Sequence, residues 1–145
     1  MAVTHSTFTL ERRYPAPVEQ VFEAWANPEA RKRWMAQGAE HSQDFTVGGL
    51  EVVKGFDGEG RPLTYEARYA EIVPNERIIT TSTLRAGSQL STTSVTSVEF
   101  QPDGTETVLV LTEHGAYLPG QEQPEWREQG TAQQLDTLTT EFKRP

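Results

Sequence analysis

The chain has 145 residues, a formal net charge of −8 at pH 7 and 35% hydrophobic residues. This length fits one domain with a single core over residues 1–145, and the acidic balance argues against nucleic acid or an anionic membrane surface as a partner. The lack of cysteine excludes disulfides and thiol chemistry, and no apolar run has the length of a transmembrane helix or a signal-peptide core. These features predict a cytoplasmic protein without membrane insertion.

The N-terminal part of the chain predicts a strand followed by two short helices. Residues 6–14 alternate polar and apolar side chains, which is the period of a β-strand. The period then becomes helical, with Val21 and Trp25 on one face. Pro28 interrupts this helix and suits the first turn of a second one, which we expect to end near Trp34.

The middle of the chain predicts a run of strands, and the end predicts one long helix. Short turns between the strands indicate an antiparallel meander. Clustered strands followed by a helix indicate an α+β domain in which the helix packs on one face of the sheet. The predicted elements are strands at 44–56 (two strands around a Gly-Gly turn), 62–74, 76–84, 90–100 and from 107 onward, then a helix from about Pro124 to Lys143.

The face of the final helix changes character along its length. Leu135, Leu138 and Phe142 share one face through spacings of three and four. Polar residues continue that face toward the N-terminus: Arg127, Glu128, Thr131 and Gln134. Such a face suits a helix that covers a cavity, and the alternative is an end that overhangs into solvent. Gly130 costs about 1 kcal/mol relative to alanine, which a close approach to the sheet or room for a ligand would explain.

The stretch "TVLVLTEHGAY" (107–117) is an apolar strand that ends in acid, histidine and glycine. We expect residues 108–111 to be buried on both faces. Glu113 and His114 are neighbours on a strand, so they point to opposite faces and form no direct dyad unless a bulge intervenes. Both faces are apolar, so the pattern leaves open which of them is inside.

We prefer Glu113 as the inward residue, because Arg127 or Glu128 on the final helix would then meet it. A buried carboxylate requires a partner or a proton. A Glu113–Arg127 pair would anchor the polar end of a ligand. The alternative is an exposed glutamate at a strand end.

Other residues are candidates for a cavity wall. Tyr65 and Tyr69 share a strand face, with apolar rings and hydroxyls that orient a ligand, although ordinary core aromatics would show the same pattern. Trp34 and Trp126 fall near helix ends and are candidates for the cavity mouth. The hydroxyl-rich stretch 80–97 predicts a solvated hairpin.

The sequence offers little support for a metal or phosphate site. His5 and His41 lie outside the predicted core elements, so we expect them to be solvated, and no histidines have the spacing of metal ligands. We predict no metal site and no cofactor.

The order of these motifs resembles a known family. The carriers are "RRYPAPVEQVFEAWANPEARKRWM" (12–35), "DFTVGG" (44–49), "YEARYAEIVPNERI" (65–78), residues 107–116 and "REQGTAQQLDTL" (127–138). Together they are similar to the activator-of-heat-shock-protein-90-ATPase-homologue-like family of the START-like (SRPBCC) superfamily, over nearly the whole chain. Many members carry Gly-Trp in the last helix, where this chain has Gly130-Thr131.

The resemblance implies a helix-grip fold: a curved antiparallel β-sheet wrapped around a long C-terminal α-helix, with two short helices after the first strand. It also implies a cavity that takes hydrophobic or amphipathic small molecules, such as lipids. It does not imply a reaction, since some relatives are cyclases or dehydratases, others carry ligands, and many bacterial members have no assigned role.

Three functions follow as hypotheses. The first is binding of a hydrophobic or amphipathic small molecule through Trp34, Tyr65, Tyr69, Glu113, Arg127, Thr131 and Gln134. The second is an enzyme of the cyclase, hydrolase or dehydratase type with Glu113 as general acid or base, for which two ionisable groups must converge in a closed pocket. The third is a co-chaperone-like interaction module, which needs an exposed patch on the convex face of the sheet. A homodimer through that face is a further expectation.

Overall fold

The computed structural model describes residues 1–142. Within them, seven strands form one antiparallel sheet with the order β1-β7-β6-β5-β4-β3-β2. The strands are β1 (Thr4–Tyr14), β2 (Glu40–Gln43), β3 (Leu50–Phe56), β4 (Pro62–Val73), β5 (Arg77–Ala86), β6 (Gln89–Asp103) and β7 (Glu106–Tyr117). The helices are α1 (Val18–Ala26), α2 (Pro28–Arg31) and α3 (Pro124–Leu138). The sheet is curved and open, and α3 lies on its concave face, so the fold is the expected α+β helix-grip.

The alternation of side chains along the central strands defines the two faces of the sheet. Along β7, Leu109, Leu111 and Glu113 are buried on the concave face, while Val108 and Val110 on the convex face are half-buried. The expectation that residues 108–111 are buried on both faces is therefore wrong, because no helix of the described chain covers the convex side at this strand. β7 pairs with the edge strand β1 on one side and with β6 on the other.

The segment between β1 and β2 closes one side of the core. α1 buries Val21, Phe22 and Trp25. The Asn27 side chain then accepts hydrogen bonds from the backbone of residues 29 and 30, which caps α2, with Pro28 in its first turn. A π-helical turn, Lys32–Ala36, follows α2 and completes the second helical segment that the sequence predicts.

α3 is attached to the sheet at its C-terminal half. Leu135 and Leu138 are buried, and the Tyr14 hydroxyl donates a 2.7 Å hydrogen bond to the Leu135 carbonyl oxygen. The helix ends at Leu138 and a 3-10 turn, Thr139–Glu141, follows it. The predicted end at Lys143 lies outside the described residues. The attachment leaves the N-terminal half of α3 to cover the remaining concave surface.

Two predicted local structures are wrong in part. Residues 44–47 form a loop rather than a strand, closed by a backbone hydrogen bond from the Gly49 N–H to the Thr46 carbonyl oxygen, while the predicted Gly-Gly turn is present with a left-handed φ of 87° at Gly48. The hydroxyl-rich stretch 80–97 forms the predicted hairpin, from β5 and β6, but this hairpin lies in the centre of the sheet and is not solvated on both faces. Its inner face buries small hydroxyl side chains: Ser82, Ser94 and Thr96.

Candidate functional site

A cavity of about 260 Å³ lies between the N-terminal half of α3 and the concave face of the sheet. Its wall combines aliphatic and aromatic side chains with charged groups and hydroxyls. The apolar members include Trp25, Met35, Val53, Ile78, Leu84, Val98, Leu111 and Leu135, and the polar ones include Arg31, Glu51, Thr80, Thr96 and Glu122.

All seven ligand-binding candidates of the sequence analysis line this one cavity: Trp34, Tyr65, Tyr69, Glu113, Arg127, Thr131 and Gln134. Trp34 lies deep in the wall, since it is 1% exposed and its Nε1–H donates to the Ala24 carbonyl oxygen at 2.8 Å. The cavity mouth is formed instead by Trp126, which is 62% exposed. The structure thus brings the candidates together, and their binding role stays a prediction.

Glu113 and Arg127 form a buried ion pair. The Arg127 Nε–H donates to Glu113 Oε2 at 2.9 Å, and the Thr96 hydroxyl donates to Glu113 Oε1 at 3.0 Å. Glu128, the other helix residue proposed to meet Glu113, is exposed because it follows Arg127 by one position and faces away from the sheet. Burial opposes the charge of Arg127, but Glu113 and Glu122 outweigh it and hold the guanidinium pKa above its ordinary value.

Glu122 brings a second carboxylate to Arg127. Its Oε1 accepts a 2.7 Å hydrogen bond from the Thr92 hydroxyl and a 3.2 Å bond from Arg127 Nη1. Its backbone N–H donates to the Ser91 hydroxyl at 3.2 Å, which ties the β7–α3 connection to β6. The three charged groups therefore form a carboxylate–guanidinium–carboxylate row at one end of the cavity.

A second buried ion pair lies in the opposite part of the wall, on the side of β3. Arg31 donates to both oxygens of Glu51, from Nε at 2.8 Å and from Nη2 at 2.9 Å. Its guanidinium carbon lies 4.6 Å from the Trp25 ring centroid and 4.8 Å from that of Trp34, and the two rings contact each other edge to face. The bidentate pairing and the two cation–π contacts hold the cation in place out of water.

His41 completes this second cluster. Its Nε2 lies 2.9 Å from Glu51 Oε2, and the ring is 2% exposed. The expectation that His41 is solvated is therefore wrong. β2 contains no large apolar residue, so its sequence gave no strand signal, and its pairing with β3 is what places His41 beside Glu51.

The ionisation of Glu51 follows from these contacts. Burial opposes its negative charge, but the Arg31 charge and hydrogen bonds outweigh burial and lower the Glu51 pKa to about 2. Burial raises the pKa of Tyr65 above its ordinary value, although the nearby Arg127 acts in the other direction. At neutral pH Glu51 is therefore charged and Tyr65 is neutral.

The two tyrosines of β4 have different surroundings. The Tyr69 hydroxyl accepts a 2.7 Å hydrogen bond from Gln43 Nε2 and the ring is buried, so Tyr69 is part of the core as well as of the wall. Tyr65 is half-buried, with the Arg127 guanidinium 5.7 Å from its ring centroid. Tyr65 is therefore the better placed of the two to meet a ligand.

Sequence reasoning missed Arg31, Glu51 and Glu122. A signal existed for Glu51, because a lone acid interrupts the apolar strand "LEVV" (50–53) and a buried acid needs a partner. No pattern connected it to Arg31, which lies 20 residues away on another element.

Within the part of the chain that the structure describes, there is neither a metal-binding cluster nor a membrane-spanning helix. Among residues 1–142, no group of three or more histidine, aspartate or glutamate side chains is arranged to hold a metal ion. The helices within this same range are too short or too polar to span a bilayer.

A curved antiparallel sheet around a long C-terminal helix, with a lined cavity between them, defines a helix-grip domain. The chain belongs to the activator of Hsp90 ATPase homolog 1-like family, whose model matches residues 15–143. That family is part of the SRPBCC superfamily, whose members typically bind small hydrophobic ligands.

Solved structures with the same fold come from several bacteria. The Mll3558 protein from Rhizobium loti is 40% identical, with a TM-score of 0.90, over 97% of this chain and 99% of that chain. A protein from Rhizobium leguminosarum is 35% identical, with a TM-score of 0.93, over 99% and 98% of the two chains. Protein CV1439 from Chromobacterium violaceum is 26% identical, with a TM-score of 0.78, over 96% and 99%. No curated protein matches this chain in sequence.

Proposed function

We propose that the protein binds a hydrophobic or amphipathic small molecule in the cavity between α3 and the sheet. The observation that carries the proposal is a cavity wall that is mostly apolar and has charged groups at two defined places. Aliphatic and aromatic side chains form most of the wall, the Glu113–Arg127 pair lies on the side of β7, and the Arg31–Glu51 pair lies on the side of β3. A ligand with an apolar body and a polar end matches this combination.

The cavity volume supports a compact ligand. A volume of about 260 Å³ exceeds the roughly 150 Å³ of an engineered cavity that binds benzene. It lies just under the roughly 300–1,000 Å³ of pockets for drug-sized molecules. A ligand with one or two rings, or a short branched chain, suits this volume better than a lipid with long acyl chains.

Three polar groups in the cavity wall can still form hydrogen bonds with a ligand. Tyr65 and Thr80 line the cavity, and their hydroxyls have no hydrogen-bond partner within residues 1–142. Gln134 donates from Nε2 to the Met35 carbonyl oxygen at 3.1 Å, which leaves its own carbonyl oxygen for a ligand. These groups orient the polar end of a ligand, and the aromatic rings contact its body.

The geometry gives less support to the enzyme alternative. Arg127 and Glu113 do converge in the cavity, as that hypothesis required. Each oxygen of Glu113 already accepts a hydrogen bond, one from Arg127 and one from Thr96. A carboxylate held in this way is arranged as a fixed charge rather than as a group that exchanges protons with a substrate.

The interaction-module alternative needs a contiguous apolar patch on the convex face. The large exposed apolar residues on that face are Val95 on β6 and Leu50 and Phe56 on β3. Two strands, β4 and β5, separate them. Their separation does not favour a docking surface for a partner protein.

A titration with 4-tert-butylbenzyl alcohol tests the proposal, with intrinsic fluorescence as the signal. All three tryptophans of the chain line the cavity: Trp25, Trp34 and Trp126. We expect a saturable fluorescence change in the wild type. Thr131→Phe adds a ring on the cavity side of α3, so we expect it to weaken binding by roughly tenfold or more.

The matched control is Gln133→Phe, which adds the same ring on the exposed side of the same helix. It should bind as the wild type does. A wild type that gives no saturable change, or equal affinities in both variants, would contradict binding in this cavity.

The single-domain organisation, the homodimer and the cytoplasmic location stay predictions.

A further inference from the structure

The formal charges of the acidic and basic side chains that line the cavity do not cancel. Three carboxylates face two guanidiniums: Glu51, Glu113 and Glu122 against Arg31 and Arg127. Three negative and two positive charges leave one negative charge. An ion that enters such a poorly solvated space needs an opposite charge that is not already paired.

The cations of the cavity are already engaged. Arg31 is paired in bidentate fashion with Glu51. Arg127 contacts both Glu113 and Glu122. Arg127 retains N–H groups for a neutral oxygen, but two carboxylates offset its charge. A ligand carboxylate or phosphate would therefore meet no unpaired positive charge.

The surplus negative charge lies at Glu122. Its Oε1 accepts hydrogen bonds from Thr92 and Arg127, while Oε2 has no hydrogen-bond partner within residues 1–142. The side chain is 17% exposed, so this oxygen is only partly solvated. A hydrogen-bond donor with a positive charge would satisfy both the free oxygen and the excess charge.

An exposed aromatic ring lines the same cavity as this carboxylate. Trp126 lies in the first turn of α3, shortly after Glu122, and both line the cavity. The Trp126 indole is 62% exposed. The face of an indole attracts an ammonium group through its quadrupole, which adds to the attraction of a carboxylate in the same cavity.

From these contacts we infer that the ligand is an amphipathic amine, with its ammonium group between Glu122 and Trp126 and its apolar body inside the cavity. This inference rests on the proposed function, because it names the chemistry of the same ligand. The formal net charge of −8 acts in the same direction, since it raises the local concentration of cations over anions.

Three probes with one apolar body test the inference by calorimetry at pH 7: 4-tert-butylbenzylamine, 4-tert-butylbenzyl alcohol and 4-tert-butylbenzoate. We expect the amine to bind about tenfold more tightly than the alcohol, and the benzoate to bind most weakly. Glu122→Gln keeps an acceptor for Thr92 and removes the charge. It should reduce the ratio of amine affinity to alcohol affinity from about ten to about one.

Two further variants test whether the preference for the amine depends on Glu122 and Trp126 in particular. Glu128→Gln removes one charge from the exposed face of α3 and should keep the wild-type preference. Trp126→Leu changes an exposed side chain and is not expected to disturb folding, and it should reduce amine affinity more than alcohol affinity.

The possible outcomes separate the two proposals. Equal affinities for the three probes, or preference for the benzoate, would overturn the amine inference and leave the cavity-binding function intact. An amine preference that survives Glu122→Gln would overturn it as well. Binding of none of the three probes would overturn both.

Discussion

At the scale of single residues, each guanidinium in the cavity wall forms ion pairs with carboxylates. Arg31 is the more enclosed of the two, with a bidentate pairing to Glu51 and two indole rings against its guanidinium. A buried cation of this kind is costly when its partner is neutralised. The stability of the protein should therefore depend on the charge of Glu51.

Glu51 predicts a specific response to acid. Its pKa is lowered to about 2 in the folded protein, against 4.5 for an unperturbed glutamate. A lowered folded pKa gives stability that is full above pH 4.5 and is lost as the pH falls toward 2. Between pH 6 and pH 3 this one group should account for a loss of roughly 2 kcal/mol in the free energy of unfolding.

Urea unfolding of wild type and Glu51→Gln at both pH values measures this loss. The variant should be less stable at pH 6, because Arg31 loses its charged partner, and should lose less stability on acidification. Glu66→Gln, on the exposed face of β4, controls for the removal of any carboxylate and should keep the wild-type slope. Parallel pH curves for wild type and Glu51→Gln would show that the Glu51 charge does not stabilise the fold.

At the scale of elements, α3 has two functions along its length. Its C-terminal half is fixed to β1 through Tyr14 and through the buried Leu135 and Leu138. Its N-terminal half covers the cavity and includes Gly130, where an added Cβ would meet no atom within 4 Å. The glycine is therefore not required by close packing against the sheet.

Gly130→Ala should stabilise the protein by up to about 1 kcal/mol, because alanine is the better helix former and the site has room for its methyl group. Gly49→Ala is the contrasting change, since its methyl group would collide with the Asp44 carbonyl oxygen. It should destabilise the protein clearly. Thermal unfolding of both variants checks the pair, and destabilisation by Gly130→Ala would mean that α3 lies closer to the sheet than the structure shows.

The elements also show how far sequence reasoning reaches. Period and turn chemistry predicted the order of the long strands and of α3, because those patterns are local. They failed for β2, which is short and polar, and which exists through its pairing with β3. They also failed for residues 44–47, where backbone hydrogen bonds within the loop take the place of strand pairing.

The same limit applies to the site. The Glu113–Arg127 pair could be predicted from the sequence. Strand alternation left two candidates for the inward residue at the end of β7, and helix spacing left two candidates for its partner on α3. The Arg31–Glu51–His41 cluster could not be predicted, because it joins α2, β3 and β2 across a sheet edge that no local pattern predicts. Contacts between residues far apart in the sequence therefore determine the parts of the site that local periodicity cannot predict.

At the scale of the whole molecule, the central feature is the space that the sheet and α3 enclose. The helix is attached at one end, the sheet curves beneath the other, and ion pairs on β3 and β7 are positioned on the two sides of an apolar interior. This layout explains why polar side chains on the inward face of α3 are compatible with a stable fold. It also confines a ligand to a volume of about 260 Å³.

The most direct test is a crystal structure of the protein soaked with 4-bromobenzyl alcohol, with the bromine located by its anomalous scattering. We expect a bromine site inside the cavity, among Trp34, Leu84 and Leu111, at a concentration at which the same compound saturates the change in tryptophan fluorescence. Bromine found only on the outer surface at that concentration would contradict the claim that this cavity is the binding site.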